Sequence, residues 1–207
     1  MARIILYGGT FDPIHCGHVA VAEQVMQRVS AGAMWFVLTD TPYLHAAPVA
    51  STEDRLRMLR AAIDGRNHFH VATEEVERGG VSFTADTMDQ LHARHPSHEF
   101  TLLLGADAAR RIREWHRAAD LLARERFLIV NRTGAAALDE DELRALGYVP
   151  QRTQRIQIDS PDVSATEIRR RAAEGEDISG LVPSAVAAII EQRALYRRLP
   201  AVHNAGG

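Results

Sequence analysis

Ile4-Ile5-Leu6-Tyr7-Gly8-Gly9-Thr10-Phe11-Asp12-Pro13-Ile14-His15-Cys16-Gly17-His18 lies at the start of the chain. Four apolar residues read as a buried strand, and paired glycines turn it into a loop carrying two histidines three apart. His18 to Val29 then has the three-to-four apolar spacing of a helix. Strand, glycine turn and helix make one half of a β-α-β unit, and the same alternation continues along the chain. Trp35 to Leu38, Phe69 to Ala72, Phe100 to Leu104, Phe127 to Val130 and Arg155 to Ile158 read as further strands. Several are continuously apolar, as strands buried on both faces are. Between them Thr52 to Ile63, Ala85 to Arg94, Ala106 to Arg111 and Ala118 to Ala123 read as helices, Ser51 with Asp54 resembling a capping box. The pattern predicts an α/β fold: a doubly wound, mostly parallel sheet, Rossmann-like, with helices on both faces.

After residue 159 only helices are expected, Ala165 to Glu174 and Ser184 to Tyr196, the second opened by Pro183. The expected organisation is a nucleotide-binding α/β domain over 1–159, a helical appendage of the same domain over 160–200, and a disordered tail over 201–207. Asp139-Glu140-Asp141-Glu142 reads as the first turn of a surface helix, where acidic side chains favour the macrodipole.

Composition narrows the chemistry. The 207 residues are 46% hydrophobic and 25% charged, an ordinary globular balance, and no apolar run approaches the roughly 20 residues of a membrane-spanning helix. The start is too short for a signal-peptide apolar region, and the lone Cys16 cannot form an internal disulfide, so a cytoplasmic protein is expected. A net charge of -3 argues against tracking nucleic acid. All 24 cationic residues are arginine, so any phosphate must be met by Arg, His, hydroxyls or backbone N–H groups.

Gly8 and Gly9 let a ligand approach the backbone, Thr10 adds a hydroxyl, and the following helix presents free N–H groups to an anion. Neither the P-loop nor the dinucleotide fingerprint is present. His15 and His18, separated by Gly17 at a helix start, can both face a phosphoryl group and donate to its oxygens. A zinc pair is the competing reading, with no evident third ligand. His92, His95 and His98 recur every three residues, but Pro96 keeps them off one helix face.

The first stretch resembles the nucleotidylyltransferase superfamily with its (H/T)xGH motif. Gly79-Gly80-Val81-Ser82-Phe83-Thr84-Ala85-Asp86-Thr87 resembles GxSYTxDT, and Gly105-Ala106-Asp107 with Trp115 resembles GxD and W. Val163-Ser164-Ala165-Thr166-Glu167-Ile168-Arg169 resembles ISSTxIR, and Leu181-Val182-Pro183 with Leu195-Tyr196 resembles the closing LVP…LY. In order, from residue 8 to residue 196, the set is similar to the bacterial nicotinate mononucleotide adenylyltransferases.

That resemblance implies AMP transfer from ATP to nicotinate mononucleotide, giving deamido-NAD and pyrophosphate, with Mg²⁺ held mainly by the substrate phosphates. A paralogue with another acceptor or nucleotide is the alternative, and a non-catalytic nucleotide-binding module the remoter one. Gly8, Gly9, Thr10, His15 and His18 would surround the ATP phosphates, with His18 the main transition-state donor. Ser164, Thr166 and Arg169 would hold the β- and γ-phosphates, and Asp107 the nucleotide. On the acceptor side Trp115 would stack on the pyridine, Thr84 would help read its carboxylate, and Arg132 and His45 would face a phosphate. No nucleic-acid or membrane partner is implied, and self-association is left open.

The chain departs from the family pattern at three places. The family carries PPH followed by Lys or Arg where this chain has Thr41-Pro42-Tyr43-Leu44-His45-Ala46-Ala47. By motif His45 keeps the histidine and the cation becomes Ala46; by spacing to Arg55, His45 itself replaces the cation. Ala165 removes one hydroxyl of ISST, and His116 follows Trp115 where tyrosine is common.

Overall fold

The computed structural model describes residues 2–44, 46–134 and 136–197. Its strands are β1 (Ala2–Gly9), β2 (Ala33–Leu38), β3 (Thr41–Pro42), β4 (Phe69–Ala72), β5 (Val81–Ser82), β6 (His98–Gly105), β7 (Arg126–Arg132) and β8 (Thr153–Ile158). Six of them form one sheet in the order β4-β2-β1-β6-β7-β8, every neighbouring pair parallel. The chain winds outward from β1 in one direction and then, from β6, in the other. The crevice beyond the carboxyl ends of β1 and β6 is therefore a topological switch point, where open parallel sheets bind ligands.

Helices α1 (Cys16–Arg28), α2 (Thr52–Ile63), α3 (Glu74–Arg78), α4 (Thr84–Arg94), α5 (Ala106–Arg110), α6 (Ala118–Arg124), α7 (Glu140–Leu146), α8 (Ala165–Glu174) and α9 (Ser184–Gln192) cover both faces. Alternation along β1 divides its side chains between two cores. Ile5 joins Met34, Phe36 and Leu128 beneath α1, α2, α8 and α9, through Val25, Leu59, Ile168 and Val186 among others. Ile4 and Leu6 join Leu102 and Ile129 beneath α4 to α7, through Met88, Ala109, Leu121 and Leu143. Because Ile168, Val186 and Ile190 are buried with Ile5, the C-terminal helices cover the main sheet. No helix is long and apolar enough to cross a membrane among the described residues.

Strand and helix expectations agree with the structure to within a few residues, with three differences. The last helix was expected to reach Tyr196 but ends at Gln192, after which Ala194 and Tyr196 take positive φ values of 50° and 64°. The two-residue parallel pair β3-β5 and the short α3 were not anticipated. Ser51 caps α2 by accepting from the Asp54 N–H at 3.1 Å, yet the Asp54 carboxylate takes the Ser51 hydroxyl rather than a backbone N–H, so the box is half formed. A complete box lies at α7, where Asp139 and Glu142 each accept the other's backbone N–H. The expected tail over 201–207 and the candidate His45 lie outside the described residues.

Candidate active site

The two leading glycines differ in what they permit. A Cβ on Gly9 would meet the Phe11 ring at 2.9 Å, so packing of Phe11 requires glycine there. A Cβ on Gly8 would meet nothing within 4 Å, so its site is open space along the strand end. Gly17 is fixed by His15, whose ring atoms would lie 3.1 Å from a Cβ, with the Pro161 carbonyl at 3.3 Å. Any side chain at Gly17 would displace the first histidine.

The two histidines stack, ring centroids 3.6 Å apart and planes 23° from parallel. The His15 backbone N–H donates to His18 Nδ1 at 3.3 Å. With Nδ1 an acceptor, a neutral His18 carries its proton on Nε2, the atom left free to donate to a ligand. Burial, with the Arg132 charge adding to it, lowers the His15 pKa to about 4. Burial first, then His15 and Arg132, push His18 well below the ordinary histidine value. Both rings are thus neutral donors at pH 7. Phe11 and Tyr7 meet His18 edge-on at 5.1 and 6.1 Å and limit its rotation.

Three side chains fix the loop between β1 and α1. The Asp12 carboxylate accepts the N–H groups of Val49 at 2.7 Å and Ala50 at 3.1 Å and the Tyr196 hydroxyl at 2.8 Å. Arg55, 1% exposed, donates to the carbonyls of Thr10 (2.9 Å), Thr39 (2.6 Å) and Asp40 (3.0 Å) and to the Thr52 hydroxyl (3.0 Å). Arg169 donates to the Asp12 carbonyl at 2.7 Å and the Thr166 hydroxyl at 3.2 Å. It is distinct from Arg170 and Arg171, whose bonds go to Glu167, Glu174 and Glu176. The Ser164 to Arg169 segment, about 150 residues distant in sequence, therefore meets the first motif, with Ser164 at the N-cap of α8 and its hydroxyl uninvolved in capping.

A cavity of about 290 Å³ opens beside this loop, lined by Tyr7 to Thr10 on one side and by Thr84, Trp115 and His116 on another. Tyr43, Phe83 and His116 form an aromatic series on its wall, with centroids 4.9 and 4.3 Å apart. Thr84 is the first residue of α4 and does not cap it, since Phe83 holds the N-cap position. Asp107 likewise does not cap α5, whose N-cap is Gly105; it stands exposed past the end of β6, 3.3 Å from Arg110. Arg132, exposed at the end of β7, has no ion-pair or hydrogen-bond partner among the described residues, and its field falls on His15, His18 and Tyr7. Of the expected residues, Gly8, Gly9 and Thr10 line the same cavity as Thr84 and Trp115.

Among the described residues no group of three His, Cys, Asp or Glu converges as a metal site. His92 instead pairs with Glu125 at 3.0 Å, and His95 and His98 stack beside Trp35. The donors around the first motif are imidazole, guanidinium and hydroxyl groups, a set suited to phosphate oxygens and to a cation delivered with them.

Sequence reasoning passed over Asp12, Arg55, Tyr196 and Glu75. For Arg55 a signal existed: Arg55, Leu59 and Ala62 lie on one helical stripe, which puts a guanidinium on the buried face.

The family model described as cytidylyltransferase-like matches residues 6–171. A protein of Geobacillus thermodenitrificans named "Probable nicotinate-nucleotide adenylyltransferase" is 36% identical over 197 residues, covering 95% of this chain and 87% of the relative. One of Herpetosiphon aurantiacus with the same name is 38% identical over 196 residues, covering 95% and 99%. The solved structure of Plasmodium falciparum nicotinic acid mononucleotide adenylyltransferase complexed with NaAD superposes with a TM-score of 0.77 at 22% identity, over 95% of this chain and 98% of that one. At that identity the superposition speaks for the fold.

Proposed function

The chain belongs to the cytidylyltransferase-like family and, within it, to the nicotinate-nucleotide adenylyltransferases, and from that premise we infer how its residues divide the work of the reaction. The enzyme transfers the adenylyl group of ATP to the phosphate of nicotinate mononucleotide. An acceptor phosphate oxygen forms a bond to the α-phosphorus as the bond to pyrophosphate breaks, so no protein nucleophile is needed. The substrate phosphates would be the main holders of Mg²⁺, whose charge would offset theirs. The protein's part is positioning and stabilisation of charge that grows on the transferred group.

The observation that carries this division is the neutral, stacked histidine pair at the N-terminus of α1, next to the open backbone of Gly8. His18 Nε2–H donates to a phosphoryl oxygen, and His15 packs against it and keeps it in place. Arg169, Ser164 and Thr166 hold the β- and γ-phosphates near the same loop, and Asp107 holds the nucleoside. The Arg132 charge is felt at both histidines, which supports its meeting the phosphates there in the role of the cation missing after His45. Thr84 and Trp115 receive the pyridine in the adjoining cavity.

The test is incubation with Mg²⁺ and each nucleoside triphosphate against a panel of phosphorylated acceptors, with detection of pyrophosphate and of the dinucleotide. ATP with nicotinate mononucleotide gives both. Pyrophosphate release only with another nucleotide or a non-pyridine acceptor overturns the reading.

A further inference from the structure

The turn that carries Trp115 and His116 ends at Arg117, a residue with no part in the reaction as proposed above. Trp115 and His116 form one stretch of the cavity lining, and Phe83, Thr84, Thr87 and Met88, at the start of α4, form another. Arg117 ties the two together. Its Nη1 donates to Asp89 at 2.7 Å and to Asp86 at 3.3 Å, both on α4, and its Nε donates to Asp120 of α6 at 2.8 Å. Asp86 and Asp89 are three apart, so they share one helix face, the face that meets the turn. Arg170 also meets three carboxylates, but all of them lie within six residues of it. The Arg117 bonds instead join separate elements.

The backbone gives a second observation. Arg117 has φ 54° and ψ 38°, the left-handed region, which a residue with a Cβ keeps only where its surroundings compensate. It stands at the N-cap of α6, and its carbonyl accepts the Leu121 N–H at 3.2 Å. The path by which the chain leaves Trp115 and His116 is therefore set at the residue that the three carboxylates hold. On the cavity side the His116 ring approaches that of Phe83, the N-cap of α4, to a centroid distance of 4.3 Å.

We propose, resting on the pyridine acceptor of the preceding section, that Arg117 is a positioning residue for acceptor binding: by clasping the Trp115-His116 turn to α4 it sets the width of the slot that the acceptor ring enters. Arg117 touches no substrate and acts through Trp115 and His116. Leu121 of α6, 2% exposed, is packed in one core with Ala85 and Met88 of α4. Loss of the clasp should thus loosen the turn while the two helices stay docked.

The experiment compares Arg117→Met, which keeps an apolar stem and loses the donors, with Arg117→Lys and with Arg111→Met as a control. Arg111 lies in the same turn and pairs with Glu114 inside it. All are made with Trp35→Phe, which leaves Trp115 as the one tryptophan; Trp35 packs beside His95 and His98, away from the cavity. Acrylamide quenching of Trp115 emission reads the turn in the ligand-free protein, and Michaelis constants for ATP and nicotinate mononucleotide read its consequence. Arg117→Met should raise the quenching constant about twofold and the acceptor constant about tenfold, with the ATP constant and kcat within about twofold. Arg117→Lys should fall between, because an ammonium lacks the fork that reaches several carboxylates at once. Arg111→Met should change neither readout. Asp89→Asn should reproduce part of the Arg117→Met effect, and the double variant should be no worse than Arg117→Met alone, since both remove one interaction.

An Arg117→Met protein with the original acceptor constant overturns the proposal, whatever its quenching. Michaelis constants for ATP and acceptor that rise together, the mark of general loosening, overturn it too, as do fully additive effects of Arg117→Met and Asp89→Asn. In each of these cases turnover of nicotinate mononucleotide by the unaltered enzyme leaves the proposed function standing. No such turnover removes both.

Discussion

Around the N-terminus of α1, stretches as distant as Thr10, Thr39, Val49 and Tyr196 are joined by hydrogen bonds that Asp12 accepts and that Arg55 and Arg169 donate. Across the cavity, the wall from Glu75 to Thr87 and on to His116 is held by aromatic contacts and one partly satisfied carboxyl. The first region has donors fixed in place before any ligand arrives, which is what stabilising a short-lived charge distribution requires. The second offers an apolar slot with few polar groups, which suits choosing among flat ligands. Chemistry and choice are thus separable, and variants on the two sides should fail in different ways.

The largest effect is expected from His18→Ala. Turnover should fall on the order of 10²- to 10³-fold with ATP affinity within a few-fold, because the lost donor matters most as charge develops. Steady-state turnover beside direct ATP titration checks this, and equal losses in both would erase the distinction between the regions. Arg55→Met leaves three carbonyls without their shared donor. It should destabilise the fold by about 3 kcal/mol or more in urea unfolding, since buried unpaired acceptors cost roughly 1–3 kcal/mol each. A change under 1 kcal/mol would mean that these loops are held some other way.

Arg169→Lys should weaken ATP by about tenfold and the acceptor little, because an ammonium cannot present two parallel donors to phosphate oxygens. An effect confined to the acceptor would move the Ser164 to Arg169 segment to the other region. Tyr196→Phe removes one of three donors to Asp12 and should cost about 1 kcal/mol of stability. Its ATP constant should change more than its acceptor constant, since Asp12 and Arg169 share this connection.

The same contrast explains what could be read from the sequence. The proposed phosphate side opens on one contiguous stretch, and Gly8, Gly9, His15 and His18 mark it in the sequence because backbone approach and helix N-termini require particular residue types at fixed spacing. Short apolar runs, several of them continuous, likewise marked the six main strands. β3 and β5 are two residues each and carry no periodicity to detect. Glu75 sits in Glu74-Glu75-Val76-Glu77-Arg78, which has the composition of a solvated helix; only the fold buries it beneath Thr87. The last helix was expected to run on through Leu195 because its apolar spacing persists, yet the chain turns after Gln192 and the Tyr196 hydroxyl reaches Asp12. Long-range hydrogen bonding decided that ending, and periodicity does not contain it.

The division of labour rests on a neutral His18 that donates from Nε2 to phosphate. Ring-nitrogen NMR of histidine-labelled protein at pH 7, titrated first with a non-hydrolysable ATP analogue and separately with acceptor, reads that state directly. The expected spectrum has His15 and His18 neutral, with His18 protonated on Nε2, and the His18 signal shifts when the ATP analogue binds. An imidazolium His18 in the free protein, or a His18 signal that responds to the acceptor and ignores the ATP analogue, would contradict the account.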